Sequence, residues 1–364
     1  MSFINIDTKN SKNEIKSFLL ADYYWIKSYV DNKYSNRKKN TFDYEECHRI
    51  VYDDLKFDYA LSFFSEYKEI YRKLGNKAWQ QIKKDVYVRK SISILERNEY
   101  SNFINNPIPF IQDISLNRLY KKNIDKTVLS ELLKEYNQEI LNQFKVINSL
   151  NKQGLNYFNM GSISAPLDFL SDYLRGTKAL LSDIHIIPDH VKNACKTISE
   201  LILKQARVYR KYYNINYLVM PLHLPGILNR NDFEMFFYPS YNYILNKLLS
   251  EDFKLYIIVE GNVDRFADMI SELNSNNVLL HFESLKIDKY QKYFKGKNTF
   301  ISGFYPIHYL KYCSIDECLN FAEQLKQKVQ GNDRYIFSTN KALYTEKDIK
   351  YENLIAVYKY LKNI

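Results

Sequence analysis

From about residue 154 onward the chain alternates short strand-like runs with amphipathic stretches of helical period, and this alternation limits the folds open to it. The strand candidates are 154–162, 216–223, 254–261, 277–284, 298–305 and 334–340. Helical patterns lie between them at about 167–181, 189–211, 230–250, 263–274, 286–294 and 315–330, and a last one at 350–362. Strand followed by helix, repeated along the chain, is the signature of βα units on a parallel sheet.

Upstream, 57-FDYALSFF-64 and 86-VYVRKSIS-93 are weaker strand candidates, and 66-EYKEIYRKLGNKAWQQIKK-84 reads as a helix between them. With these two the strand count matches a (β/α)8 TIM barrel, so the predicted class is α/β, a single barrel domain over 46–364. Residues 1–45, polar and rich in Lys, Asn and Tyr, are expected to add a helical extension covering the bottom or side of the barrel. An open doubly wound sheet is the competing architecture, but no G-x-G-x-x-G fingerprint follows any strand.

Composition narrows the function classes. Hydrophobic residues are 46% and charged ones 26% of the 364, the proportions of a globular protein. A net charge of +10 invites a polyanionic partner, yet Lys and Arg are spread along the chain and the densest clusters, 37-RKK-39 and 121-KK-122, are short. With no basic stripe and no reading motif, no nucleic-acid partner is expected. Apolar runs such as 255-LYIIV-259 are far too short to span a bilayer. The start, 1-MSFINIDTKN-10, carries no basic n-region and apolar core. Cys47, Cys195, Cys313 and Cys318 fit neither a zinc ribbon nor a disulfide framework, so a reducing, cytoplasmic setting is expected.

In such a barrel the working face is the set of loops after the strands. The polar residues there are Ser162 and Ser164, His223, Glu260, Glu283, Tyr305 and His308, and Ser338, Thr339 and Asn340. Such convergence suits a small-molecule site. His223 and Glu260 are the candidate catalytic groups; Ser164, Tyr305 and Asn340 are candidate substrate-binding residues. Each has a plainer reading: a hydrogen-bonded rim histidine for His223, a salt bridge to Arg265 for Glu260, and ordinary packing for Cys313 and Cys318.

Several ordered strings resemble the uroporphyrinogen decarboxylase superfamily, which includes the zinc-dependent methylcobamide:thiol methyltransferases. They are 95-LERNEYSNFINNPIPFIQDISLNRLY-120, 165-APLDFLSDYLRGTKALLSDIHIIPDHV-191, 223-HLPGILNRNDFEMFFYP-239, 258-IVEGNVDRF-266 and 335-YIFSTNKALYTEKDIKYENLIAVYKYLK-362. The resemblance spans roughly 45–364. It implies a TIM barrel acting on a tetrapyrrole-like or smaller ligand, with a corrinoid or a corrinoid protein as a possible partner.

The catalytic residues carry over unevenly. In the methyltransferase branch a His-x-Cys and a later Cys bind zinc. His223 matches the first ligand, but Pro225 stands where the first Cys belongs and Asn340 where the second does. Neither supplies a thiolate, so Cys-ligated zinc is not expected. Glu260 is the candidate second ligand if His223 holds a divalent metal. In the decarboxylase branch the active-site tyrosine falls near Asp172, a serine falls on His223, and the N-terminal arginine motif is missing. Three functions follow as expectations: methyl transfer between a corrinoid and a small acceptor; decarboxylation of a tetrapyrrole or smaller acid, with His223 or Asp172 handling the proton; and non-catalytic ligand binding.

Overall fold

The computed structural model describes residues 15–35, 42–63, 74–83, 86–121, 123–284 and 286–362. Its strands are β1 Phe18–Asp22, β2 Tyr59–Phe63, β3 Trp79–Lys83, β4 Val86–Arg89, β5 Met160–Ser162, β6 Tyr217–Leu222, β7 Lys254–Asn262, β8 Val278–Ser284, β9 Phe300–Tyr305 and β10 Tyr335–Thr339. The protein is mixed α/β, and β5 to β10 form a parallel six-stranded sheet in the order of the sequence. Each of the six runs read from about residue 154 onward contains one of these strands.

The apolar runs are unbroken because both faces of these strands are covered. Along β7, Leu255, Ile257 and Val259 pack into the main core, while Tyr256 and Ile258 pack into a second cluster. Helix Pro188–Tyr213 begins with proline at its first turn and buries Val191, Ala194, Cys195, Ile198 and Ile202 as one stripe. It stops at Asn214, whose φ of 54° is left-handed. Helix Ile315–Val329 is started by the reciprocal hydrogen bonds of Ser314 and Glu317.

The N-terminal part departs from expectation. Within the stretch read as a helical extension, β1 pairs in parallel with β2, from Phe18↔Tyr59 to Asp22↔Phe63, before helix Tyr23–Lys33. FLLAD has no β-branched residue, and its strand state comes from packing rather than propensity. The 86–93 candidate is not part of the parallel sheet. Only β4 forms there, antiparallel to β3, which occupies the end of the expected 66–84 helix. The beginning of that helix, and the cluster 37–39, lie outside the described residues.

Short bridges link the β1–β2 pair to both edges of the larger sheet. Ala60 meets Tyr157 just before β5; Ser17 meets Phe337 on β10, and Ala21 meets Leu343 beyond it. Backbone hydrogen bonds accompany them: Phe158 N–H to Ala60 O at 2.9 Å, Phe337 N–H to Lys16 O at 2.7 Å, and Asp22 N–H to Leu343 O at 2.7 Å. The second cluster draws on the same strands: Phe18 and Leu20, Leu61, Met160, Val219, Tyr256 and Ile258, Leu279, Phe300 and Ile336.

Two buried histidines lie in this frame. His281, inside β8, lies 3.1 Å from both Ser302 Oγ and Asn340 O, and burial lowers its pKa to about 4. His48 lies 2.8 Å from Tyr157 Oη, and burial lowers it to about 3. Both are lowered below the unfolded value, so the stability they contribute is present above about pH 6.5 and is lost as pH falls towards the folded values. Unfolding free energies measured across this window should drop by up to ~3 kcal/mol per histidine, and His281→Gln should flatten the dependence. An unchanged slope in that variant counts against this assignment. No helix among the described residues is long and apolar enough to cross a membrane.

Candidate functional site

Parallel strands place all their C-terminal ends on one side, and there β6 and β7 bring His223 and Glu260 together. Asp172 reaches the same point from Leu170–Arg175, the continuation of helix Pro166–Phe169 after β5. His223 Nδ1 lies 2.6 Å from Asp172 Oδ2, and Nε2 lies 3.5 Å from Glu260 Oε1. Burial by itself would lower the His223 pKa. The hydrogen bonds and charges of Asp172 and Glu260 outweigh it and raise the group to about 11. The imidazole is therefore a cation with a carboxylate at each nitrogen.

A fourth residue, Asp168, was not singled out from sequence. It is fully buried and accepts from the backbone N–H groups of Leu224 at 2.8 Å and His223 at 3.2 Å, fixing the turn that carries the imidazole. Burial pushes its carboxyl up to about 7, against the pull of the His223 charge and of these N–H groups. Its spacing of four from Asp172 puts both carboxylates on one side of a helical turn, a signal available in the sequence.

The loop after β6 is a tight turn, Leu224–Gly226, with Pro225 buried in it. Arg265 clamps it by donating to the carbonyls of Leu228 at 2.9 Å, Gly226 at 3.0 Å and Pro225 at 3.1 Å. Its guanidinium is thus committed to the loop, in place of the salt bridge to Glu260 weighed from sequence. The turn lies so close to β7 that a Cβ on Gly261 would stand 3.2 Å from Gly226 Cα. Pro225 and Gly226 shape the backbone that aims His223 at Glu260.

Other expected site residues go elsewhere. Tyr305 is buried, donates to Cys318 O at 2.9 Å and packs on Phe321 of helix Ile315–Val329 and on Phe337 of β10, in the core between sheet and helices. The cause is register: Tyr305 lies four residues after Ile301, so the two-residue period of the strand puts both in the main core on the helix side of the sheet. Asn340 is spent on the framework. Its amide donates to Glu283 O at 2.9 Å and accepts from Ile307 N–H at 3.0 Å, which ties three loops together and leaves little for substrate. Ser164 lies half-buried on the loop between β5 and the helix bearing Asp168. His308 sits on helix Ile307–Tyr312 with its ring against Tyr309.

Glu283, at the end of β8, accepts from Gly261 N–H at 3.1 Å and stands 3.5 Å from Lys341 Nζ. Asp22, at the end of β1, caps the next helix through Tyr24 N–H at 2.7 Å. Sequence reasoning missed Asp22 because it assigned the region to helix. Among the described residues, no group of three His, Cys, Asp or Glu side chains is arranged to hold a metal ion. The pair read from sequence as metal ligands, His223 and Glu260, supplies two side chains, with Nε2 3.5 Å from Oε1. Cys47, Cys195 and Cys318 are buried and Cys313 partly so, all as free thiols. Comparison of the sequence with protein-family models and with curated proteins finds no match.

Proposed function

We propose that β1 and β2 complete the six-stranded sheet into a closed (β/α)8 barrel, and that the protein is an enzyme of the uroporphyrinogen decarboxylase superfamily acting on a small molecule at the barrel's C-terminal mouth. The bridges at Ala60, Ser17 and Ala21 support closure, as does an apolar cluster fed by all eight parallel strands, as expected of a filled barrel interior. The superfamily reading is supported by the resemblance, whose strings 165–191, 223–239 and 258–266 carry Asp172, His223 and Glu260.

The observation that carries the functional reading is the imidazolium of His223 held between Asp172 and Glu260. With a carboxylate at each nitrogen the imidazole is placed to hold and pass a proton, and we read the constellation as an acid–base and orienting unit. We place methyl transfer from a corrinoid, free or carried by a corrinoid protein, to a small acceptor first. The acceptor's proton passes to Glu260, the more exposed of the two carboxylates, while His223 holds that carboxylate in position. The methyl group moves to the acceptor atom, and its old bonding pair stays with the corrinoid.

Decarboxylation is the second reading, favoured by the same imidazolium, which can protonate the carbanion left by carbon dioxide. Against it, Asp22, Asp172, Glu260 and Glu283 outnumber the cations His223, Lys341 and the loop-bound Arg265 among the described residues of this mouth, and repel a carboxylate substrate.

Anaerobic incubation with methylcobalamin and small thiols, amines or alcohols tests the first reading by the absorbance change on demethylation. Turnover should be unaffected by a chelator and fall at least ~100-fold in His223→Gln. Absence of corrinoid binding and demethylation together overturns methyl transfer. A small-molecule binding signal that His223→Gln abolishes, without turnover of any substrate, means a non-catalytic binding barrel.

A further inference from the structure

We propose that the small molecule taken by this mouth carries a positively charged nitrogen. The inference rests on the reading of the strand ends as the working site and names the class of ligand that reading leaves open.

Carboxylates from β1 and from the neighbouring strands β7 and β8 converge there. Tyr344, on the segment after β10, stands among them: its phenol is pushed up to about 12, first by burial and then by the charges of Glu260, Asp22, Glu283 and Asp348. Asp22 ends β1, Glu260 lies on β7 and Glu283 on β8, so a single ring senses acids delivered by three strands. Of the cations among the described residues there, Lys341 is already beside Glu283 at 3.5 Å, His223 lies between Asp172 and Glu260, and Arg265 is taken up by the carbonyls of Pro225, Gly226 and Leu228. Among the described residues an excess of acid is thus concentrated at one mouth of a chain whose net charge is +10. Concave sites of one sign raise the local concentration of the opposite charge.

A second, independent observation lies beneath these carboxylates. The hydroxyls of Tyr256 and Ser338 are buried without a hydrogen-bond partner among the described residues. Tyr256 belongs to the inner apolar cluster, four residues before Glu260 on the same strand, and Ser338 follows Ile336, another member of that cluster, by two. The two-residue period of a strand sets both on the inner face, with Ser338 one residue before the end of β10 and Tyr256 close enough to Tyr344 to feel its charge. Buried hydroxyls without partners are costly, and a polar group that meets them recovers that cost. A ligand with an ammonium centre for the carboxylates and aromatic faces, and a hydroxyl or N–H group for the floor, matches both observations.

Three probes of one shape separate charge from bulk: choline, 3,3-dimethylbutan-1-ol and 3,3-dimethylbutanoate. Binding to the full-length protein is followed by calorimetry and by the imidazole NMR signals of His223. Choline should bind at least tenfold more tightly than the neutral alcohol, the carboxylate should bind least, and added salt should shrink the gap. Glu260→Gln and Glu283→Gln, each checked for native circular dichroism, should each erode the preference, and Tyr256→Phe should weaken choline without erasing it. Equal binding of all three probes, with each weakened by His223→Gln, overturns the charge inference alone and leaves the site standing. If no probe binds, or none responds to His223→Gln, the inference falls together with the reading of the mouth beneath it.

Discussion

Alanine in place of Gly303 should cost the protein at least ~4 kcal/mol of unfolding free energy, read as a lowered denaturant midpoint. A Cβ at this position would stand 2.3 Å from the carbonyl oxygen of Phe282 and 3.1 Å from its carbonyl carbon and nitrogen. The neighbour is backbone in the middle of the sheet and cannot step aside as a flexible side chain can. The φ of 96° adds a second cost, since side-chain-bearing residues rarely occupy that region. Gly296→Ala separates the two terms, because Gly296 has φ of 81° on an open turn, where an added Cβ would meet no atom within 4 Å. It should lose only about 1 kcal/mol, the conformational part. Equal losses at the two positions would show that β8 and β9 yield more easily than their spacing implies. The effect should reach the mouth as well, because Phe282 directly precedes Glu283, which fixes Gly261 and stands beside Lys341.

The runs that became β5 to β10 were legible because two buried faces leave an unbroken apolar signature bounded by helical patterns. The strand ends then gave His223 and Glu260, and their adjacency follows from the pairing of β6 with β7. Tyr305 was placed at the mouth by its position at a strand end, whereas the two-residue period counted from Ile301 sets it on the helix side of the sheet. Asn340 was misread for another reason: a side-chain amide at a strand end serves equally well to cross-link loops, and only the positions of Glu283 and Ile307 decide which. The strand β1 left no signal because FLLAD is five residues long and sits against a helix, so its partner β2 decides its state. Asp168 was legible in spacing, but its burial and its hold on the backbone of His223 and Leu224 depend on the turn after β6.

The second large effect concerns the proton on His223. Its folded pKa is raised, to about 11, so the imidazole signals should remain at their protonated positions well above neutral pH. The sign follows: the stability this group contributes is complete below about pH 6.5, the unfolded value, and is lost as pH rises through the folded one. Asp172 lies at 2.6 Å and Glu260 at 3.5 Å, so Asp172→Asn should lower the His223 pKa by more than Glu260→Gln does. With both replaced, the charge of Asp168 still opposes burial, but the value should fall steeply from its wild-type position. Metal affinity then becomes diagnostic. If His223 were an ordinary metal ligand, removing a neighbouring carboxylate would weaken binding of zinc or another divalent ion. If Asp172 instead holds the proton in place, Asp172→Asn should expose the lone pair near neutral pH and strengthen metal binding, which calorimetry with zinc in wild type and variant reads directly. A wild-type His223 that titrates near 6.5 and loses zinc on Asp172→Asn would return the site to metal chemistry.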